Sequence, residues 1–144
     1  MVFLSLPLPF SVLFLVSLVD KSQATYQTFL REHVDPMRII INPHFYCQEK
    51  MKAQGLTSPT CTEKNTFIHA SNIQVKTICG VGGMHSSNTS SDSLASYIIT
   101  TCHSSGGSPP DDCKYRGQGE RRRIRVTCSR RVPVGIIKIL TTWP

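Results

Sequence analysis

Acidic side chains are scarce in this chain: nine Asp and Glu stand against sixteen Lys and Arg, a formal charge of +7 over 144 residues. No Cys-x-x-Cys and no Cys/His cluster occurs, which leaves little basis for a zinc site, and no metal or cofactor is expected. No internal repeat and no second domain are visible, and the length suits one domain. Beyond Val19 no uninterrupted apolar run approaches the ~18 residues that span a bilayer, so the mature protein is expected to be soluble. No histidine follows His103, which limits where acid–base chemistry can sit in the C-terminal third.

Residues Met1 to Val19 carry no charge and are mostly Leu, Val and Phe. A basic start is missing, but Pro7 and Pro9 oppose a helix that stays in lipid, and Ser22-Gln23-Ala24 offers the small residues of a cleavage site. Residues 1–24 therefore read as a secretory signal, with a domain over 25–144 and a secreted, extracellular product. Export makes six cysteines a disulfide framework, with fifteen pairings open to them.

The positive charge is clustered. Lys114, Arg116, Arg121, Arg122, Arg123, Arg125, Arg130 and Arg131 fall within eighteen positions, which points to a polyanionic partner: RNA, a heparin-like glycan or an anionic membrane surface. The competing reading is charge for solubility alone.

Local patterns give an α+β chain. Thr25 to Val34 has Phe29, Leu30 and His33 at helical spacing, with Pro36 soon after. Asn42-Pro43 opens a second helix, His44 to Gln54, that turns Phe45, Cys47 and Met51 inward, with Gly55 just past its end. Lys64 to His69 suits a strand, and Ser71 or Asn72 caps a short helix to Ile78. Gly80 to Ser93 reads as a mobile loop, with Asn88-Thr89-Ser90 as a glycosylation sequon. Ala95 to Thr101 is a strand, Ser104 to Asp112 a turn, and Cys113 starts the return. From Arg121 the chain alternates: Ile124, Val126 and Cys128 on one face, Arg121, Arg123, Arg125 and Thr127 on the other. Val134 to Thr142 is the last strand, where Gly135 leaves a gap.

TYQTFLREHVD from Thr25, GLTSP from Gly55, NTFIH from Asn65, CHSSGGSPPDDCKYRG from Cys102, and Val132-Pro133-Val134 together resemble the pancreatic ribonuclease family in its angiogenin-like, six-cysteine branch. The resemblance implies a ribonuclease A-like α+β fold of three short helices and a bent antiparallel sheet, with a cleft for RNA. It also implies three disulfides: Cys47 with Cys102, Cys61 with Cys113, and Cys79 with Cys128.

Members of that family cleave RNA without metal, using one histidine as base, a second as acid, and a lysine to stabilise the charged phosphorane. His33 in FLREHVD matches the base, although its usual glutamine neighbour is Glu32, and the alternative is a histidine kept for the helix alone. Where the family has Cys-Lys-x-x-Asn-Thr-Phe, this chain has Cys61-Thr62-Glu63-Lys64-Asn65-Thr66-Phe67. Thr62 cannot supply the charge, and Lys64 shares its face if the chain is extended, as a displaced cation or merely an exposed lysine. Where the family has Pro-Val-His, an apolar residue and Asp, this chain has Pro133-Val134-Gly135-Ile136-Ile137. Gly135 removes the general acid, which typically carries about 10²–10⁴ in rate. Asn65 and Thr66 remain as candidate substrate-binding residues, since in the family the threonine backbone and hydroxyl select pyrimidines; the competing reading is that Asn-Thr-Phe persists because this strand packs the core.

The expected function is a secreted, monomeric homologue that binds RNA or another polyanion through Arg121, Arg122, Arg123, Arg125, Arg130 and Arg131, with little or no ribonuclease activity. Two alternatives stand beside it: a weak pyrimidine-preferring endoribonuclease using His33 and Lys64, and a cationic host-defence or angiogenic factor acting on membranes, glycans or a cell-surface receptor.

Overall fold

The computed structural model describes residues 25–37 and 40–141. The expected signal segment lies outside that range, as do Arg38, Ile39 and Thr142, the expected end of the last strand. Among the described residues no helix is long and apolar enough to cross a membrane.

Helix α1 covers residues 25–33, and buries Phe29 against a core of Val34, Ile68, Val75, Ile78, Ile99, Ile124 and Val126. Helix α2, Pro43–Ala53, starts where Asn42 Oδ1 accepts from the amides of His44 and Phe45, each at 3.1 Å. This cap and the proline at the first turn explain the start. The inward placement of Phe45 is corrected: it is 65% exposed while Cys47 and Met51 are fully buried. At about 100° per residue, Phe45 lies some 200° round the helix from Cys47, on the opposite side. Below α2, a second core joins Met51, Leu56, Phe67 and Tyr115 to two disulfides.

Strand β1 is Lys64–Ile68. Helix α3, Asn72–Lys76, opens with a capping box between Ser71 and Gln74 and passes into a 3₁₀ turn at Thr77–Cys79. The segment expected as a loop instead holds two short strands, β2 Gly83–His85 and β3 Ser90–Ser93. Buried serines replace apolar residues there: Ser91 Oγ donates to the Ile78 carbonyl at 2.7 Å, and Ser93 Oγ accepts from the Ile124 amide at 3.0 Å.

A long hairpin follows, β4 Tyr97–Ser108 and β5 Asp112–Arg122, so the turn is shorter than the expected Ser104 to Asp112. The alternation read from Arg121 to Cys128 holds from Ile124 onward, where Ile124 and Val126 are buried, but does not reach back to Arg121, because strand pairing is interrupted at Arg123. Arg121 is the penultimate residue of β5, whereas Arg125 belongs to β6, Ile124–Ser129, in a different sheet. Strand β7, Val132–Ile139, is the last of the described strands. The antiparallel strands form a three-stranded sheet, β1-β4-β5, and a four-stranded sheet, β2-β3-β6-β7.

Three disulfides join Cys47 to Cys102, Cys61 to Cys113 and Cys79 to Cys128, the pairing the resemblance implies. They close separations of 55, 52 and 49 residues, loops long enough for each to contribute about 2–4 kcal/mol. Gly117 is where α2 meets β5: a Cβ there would lie 2.2 Å from the Pro43 carbonyl oxygen.

Candidate functional site

A cavity of about 460 Å³ opens between α1, β1 and β7. His33 comes from α1, Lys64, Asn65 and Thr66 from β1, and residues 136–139 from β7. The structure thus brings together His33, Lys64, Asn65 and Thr66.

Pairing parity explains how β1 serves the site. Ser104 N–H donates to the Glu63 carbonyl at 2.7 Å and His69 N–H to the Ile98 carbonyl at 2.9 Å. With Lys64 opposite His103 and Thr66 opposite Thr101, odd positions of β1 exchange bonds with β4 and even positions turn theirs away. Since β1 is an edge strand, the Thr66 backbone groups point outward. Its carbonyl oxygen meets His33 Nδ1 at 2.9 Å, and its N–H lies on the same open edge. A carbonyl only accepts, so Nδ1 carries the proton and Nε2 keeps its lone pair. Burial lowers the His33 pKa, and the opposing pull of the Thr66 carbonyl and Glu32 is smaller. The imidazole is therefore neutral near pH 7, as a general base must be.

Glu32 is neutralised in place. Its carboxylate pairs with Arg31 at 3.2 Å, and its carbonyl accepts from Asn65 Nδ2 at 2.6 Å. Asn65 so ties β1 to α1. Thr66 Oγ1 lies 3.2 Å from Thr101 Oγ1, which leaves further hydrogen-bonding capacity on each hydroxyl.

Thr62 sits outside the cavity lining. It precedes β1 rather than extending it: its N–H donates to the Leu56 carbonyl at 3.0 Å, and its own carbonyl accepts from Tyr115 Oη at 2.8 Å. A bend at Glu63 lies between Thr62 and Lys64, and Lys64 reaches the cavity.

The wall facing His33 is Ile136, Ile137, Lys138 and Ile139. Gly135 pairs with Thr127 across β7 and β6, and a Cβ on it would meet nothing nearer than Thr127 Oγ1 at 3.9 Å. Neither space nor a left-handed backbone demands glycine there. Lys138 was not singled out in the sequence, and it adds a second cation to the cavity. Strand bulges between Arg125 and Val126 and between Thr127 and Cys128 shift the pairing with β7, so residue parity along β7 does not predict which side chains reach the cleft.

The remaining histidines lie elsewhere. His69 is buried, with Nδ1 donating to the Asp35 carbonyl at 2.9 Å and Nε2 2.7 Å from Thr100 Oγ1. His44 Nδ1 accepts from the Gly117 amide at 3.0 Å, and His85 and His103 are exposed on β2 and β4.

The arginines divide into two groups. Arg122 pairs with Glu120 at 2.9 Å and donates to the Leu140 carbonyl, Arg123 donates to the Ser93 carbonyl at 2.8 Å, and Arg125 binds Asp92. Arg121, Arg130 and Arg131 are exposed with no carboxylate partner among the described residues. A row of Lys64, His103 and Arg116 also crosses the three-stranded sheet: Lys64 faces His103 on β4, which faces Arg116 on β5. Directly opposed residues share a face, so this row continues outward from the cavity. Among the described residues no group of three His, Cys, Asp or Glu is arranged for a metal.

Comparison with known proteins agrees with this geometry. The sequence profile of the pancreatic ribonuclease family matches residues 24–137. A ribonuclease of Chelonia mydas is 42% identical over 113 residues, covering 78% of this chain and 95% of the relative. An angiogenin of Mus musculus is 33% identical over 134 residues, covering 89% and 91%. Among solved structures, green turtle egg white ribonuclease superposes with a TM-score of 0.75 at 39% identity, covering 81% of this chain and 98% of that one. Zebrafish RNase5 gives 0.72 at 31%, covering 83% and 97%. A cleft built around His33 and Thr66, on this disulfide framework and with these relatives, places the chain in the pancreatic ribonuclease family.

Proposed function

We propose that this protein is an exported member of the family that binds single-stranded RNA in the His33 cleft and cleaves it feebly or not at all. The carrying observation is the β7 wall: opposite a well-formed base stand three isoleucines and Lys138, with no histidine and no carboxylate. A lysine holds its proton too tightly near pH 7 to deliver it efficiently to a departing oxygen, whereas it binds phosphate well as a fixed cation.

Several features support binding. Lys64 and Lys138 stand on two walls of one cavity, and neither has a carboxylate partner among the described residues. Thr66 offers a hydroxyl and an edge N–H at the cavity floor, a pair suited to a base edge. The row Lys64, His103 and Arg116 spans two strand spacings, about 10 Å, and offers a path for the backbone beyond the cleft.

One observation favours a second reading, a weak pyrimidine-preferring endoribonuclease. His33 has its free nitrogen and lowered pKa in the same cavity as two cations, so half of the proton shuttle is intact.

Fluorescence anisotropy with a labelled oligouridylate tests the proposal. Binding should weaken with salt at a log–log slope of about −0.7 per neutralised phosphate. Lys64→Ala and Lys138→Ala should each reduce that slope while the oligonucleotide stays intact. Absence of binding, or slopes unchanged in both variants, contradicts the RNA reading.

A further inference from the structure

The sequon Asn88-Thr89-Ser90 occupies the end of the β2–β3 hairpin, with Asn88 exposed. Its surroundings are more specific than the motif. Ser90 pairs with Thr127 of β6, and the Cys128 N–H donates to the Thr89 carbonyl at 2.8 Å. Continuing that register sets Asn88 beside Ser129, the last residue of β6. The next two residues are Arg130 and Arg131, both exposed, with φ of 53° and 67°. Two hairpin ends, one carrying the sequon and one carrying a dibasic turn, therefore lie side by side at one end of the four-stranded sheet.

We propose that Asn88 is an N-glycosylation site whose glycan covers the Arg130–Arg131 turn. The inference rests on the export reading above, because only an exported chain meets the lumenal enzyme. In the reaction, Asn88 Nδ2 bonds to the anomeric carbon of a lipid-diphosphate-linked oligosaccharide. The bond from that carbon to the diphosphate oxygen breaks, the lipid diphosphate leaves, and Nδ2 gives up one proton.

The fold also fixes when this happens. Ser90, whose hydroxyl completes the sequon, is buried, with Oγ at 2.6 Å from Ser86 Oγ and 2.8 Å from Ser87 Oγ. Once the hairpin has closed that hydroxyl is sequestered, so attachment precedes folding of this end. A hydrated glycan then stands over an exposed turn of the kind proteases cut first. The cleft is spared, because the turn lies at the opposite end of β7 from residues 136–139.

The full chain, expressed with residues 1–24 in cultured mammalian cells, provides the test. The secreted protein should carry one glycan, removed by peptide N-glycosidase and absent from Asn88→Gln. Trypsin should cut after Arg130 or Arg131 about tenfold faster in the deglycosylated protein than in the intact one. Enzymatic deglycosylation of folded wild type makes that comparison even if Asn88→Gln fails to fold. A secreted chain of unmodified mass overturns the site, and equal cleavage rates overturn the shielding. A chain kept in the cytosol with residues 1–24 attached overturns the export reading and the proposal with it.

Discussion

Arg125 and Asp92 face each other across β6 and β3 as a two-pronged pair, Nε to Oδ1 at 2.6 Å and Nη2 to Oδ2 at 3.1 Å. The Arg125 hydrogen bonds hold the Asp92 carboxyl below its ordinary range, against a smaller opposing effect of burial. This guanidinium is committed to the sheet and is poorly placed to grip a phosphate as well.

Arg125→Ala should therefore lower Tm and leave the salt slope of oligouridylate binding unchanged. Lys64→Ala should do the reverse, removing about 0.7 from the slope with little change in Tm. Equal loss of slope in both variants would mean that the arginines of β6 contact the RNA after all.

Acid should unfold the protein in two stages. Burial depresses the pKa of His69, and also that of His33, below 6.5, despite backbone hydrogen bonds that favour the charged form. The unfolded chain then binds more protons, so the stability these groups contribute is full above about 6.5 and is lost as pH falls through their folded values. Asp35 follows below its ordinary 3.8: burial tends to raise it, but the Tyr46 hydroxyl, the Met37 amide, Lys50 and His69 outweigh that and lower it. Thermal unfolding followed from pH 8 to pH 2 should show a first decline beginning near 6.5 and a second below 3.8. A flat Tm between pH 7 and pH 5 contradicts the histidine part.

Tyr46 Oη donates to Asp35 Oδ2 at 2.6 Å. Tyr46→Phe should cost about 1.5–3 kcal/mol, the usual worth of a hydrogen bond to a charged group. It should also weaken the second acid stage, since Asp35 loses a partner that favours its charged form. A wild-type Tm in this variant would show that the bond adds nothing net.

Gly135 has room for a side chain, which makes a gain of function testable. Gly135→His should raise cleavage of a uridine-containing dinucleotide by about 10²-fold or more, by placing a proton donor next to Ile136 of the cavity wall. Adding Thr62→Lys should raise it further. Folded Gly135→His protein with unchanged rates would show that the second wall is misplaced for catalysis.

Much of the fold was legible because its signals are local. Asn42-Pro43, a cap at Ser71 or Asn72, and the spacing of Phe29, Leu30 and His33 mark helices without reference to the rest of the chain. Strands β2 and β3 were not legible, since their inward positions are serines whose burial depends on partners at Ile78 and Ile124. The basic strip looked uniform for the same reason: alternation reports parity, and it is blind to Asp92 and Ser93 waiting across the strand pair.

The site was half readable. His33, Asn65 and Thr66 sit in motifs, so their meeting in one cavity follows from the fold that the motifs imply. Lys138 had no motif, and the irregular pairing of β6 with β7 hid which residues face the cleft. The row from Lys64 through His103 to Arg116 joins three distant segments, and only strand register reveals it.

Whether the proposed proton acceptor, His33, lacks its donor is read from turnover of the dinucleotide UpA by pure refolded protein, with His33→Ala as the paired control. Wild type and His33→Ala should be indistinguishable and near the buffer rate. Rapid turnover by wild type that disappears in His33→Ala would contradict the missing donor.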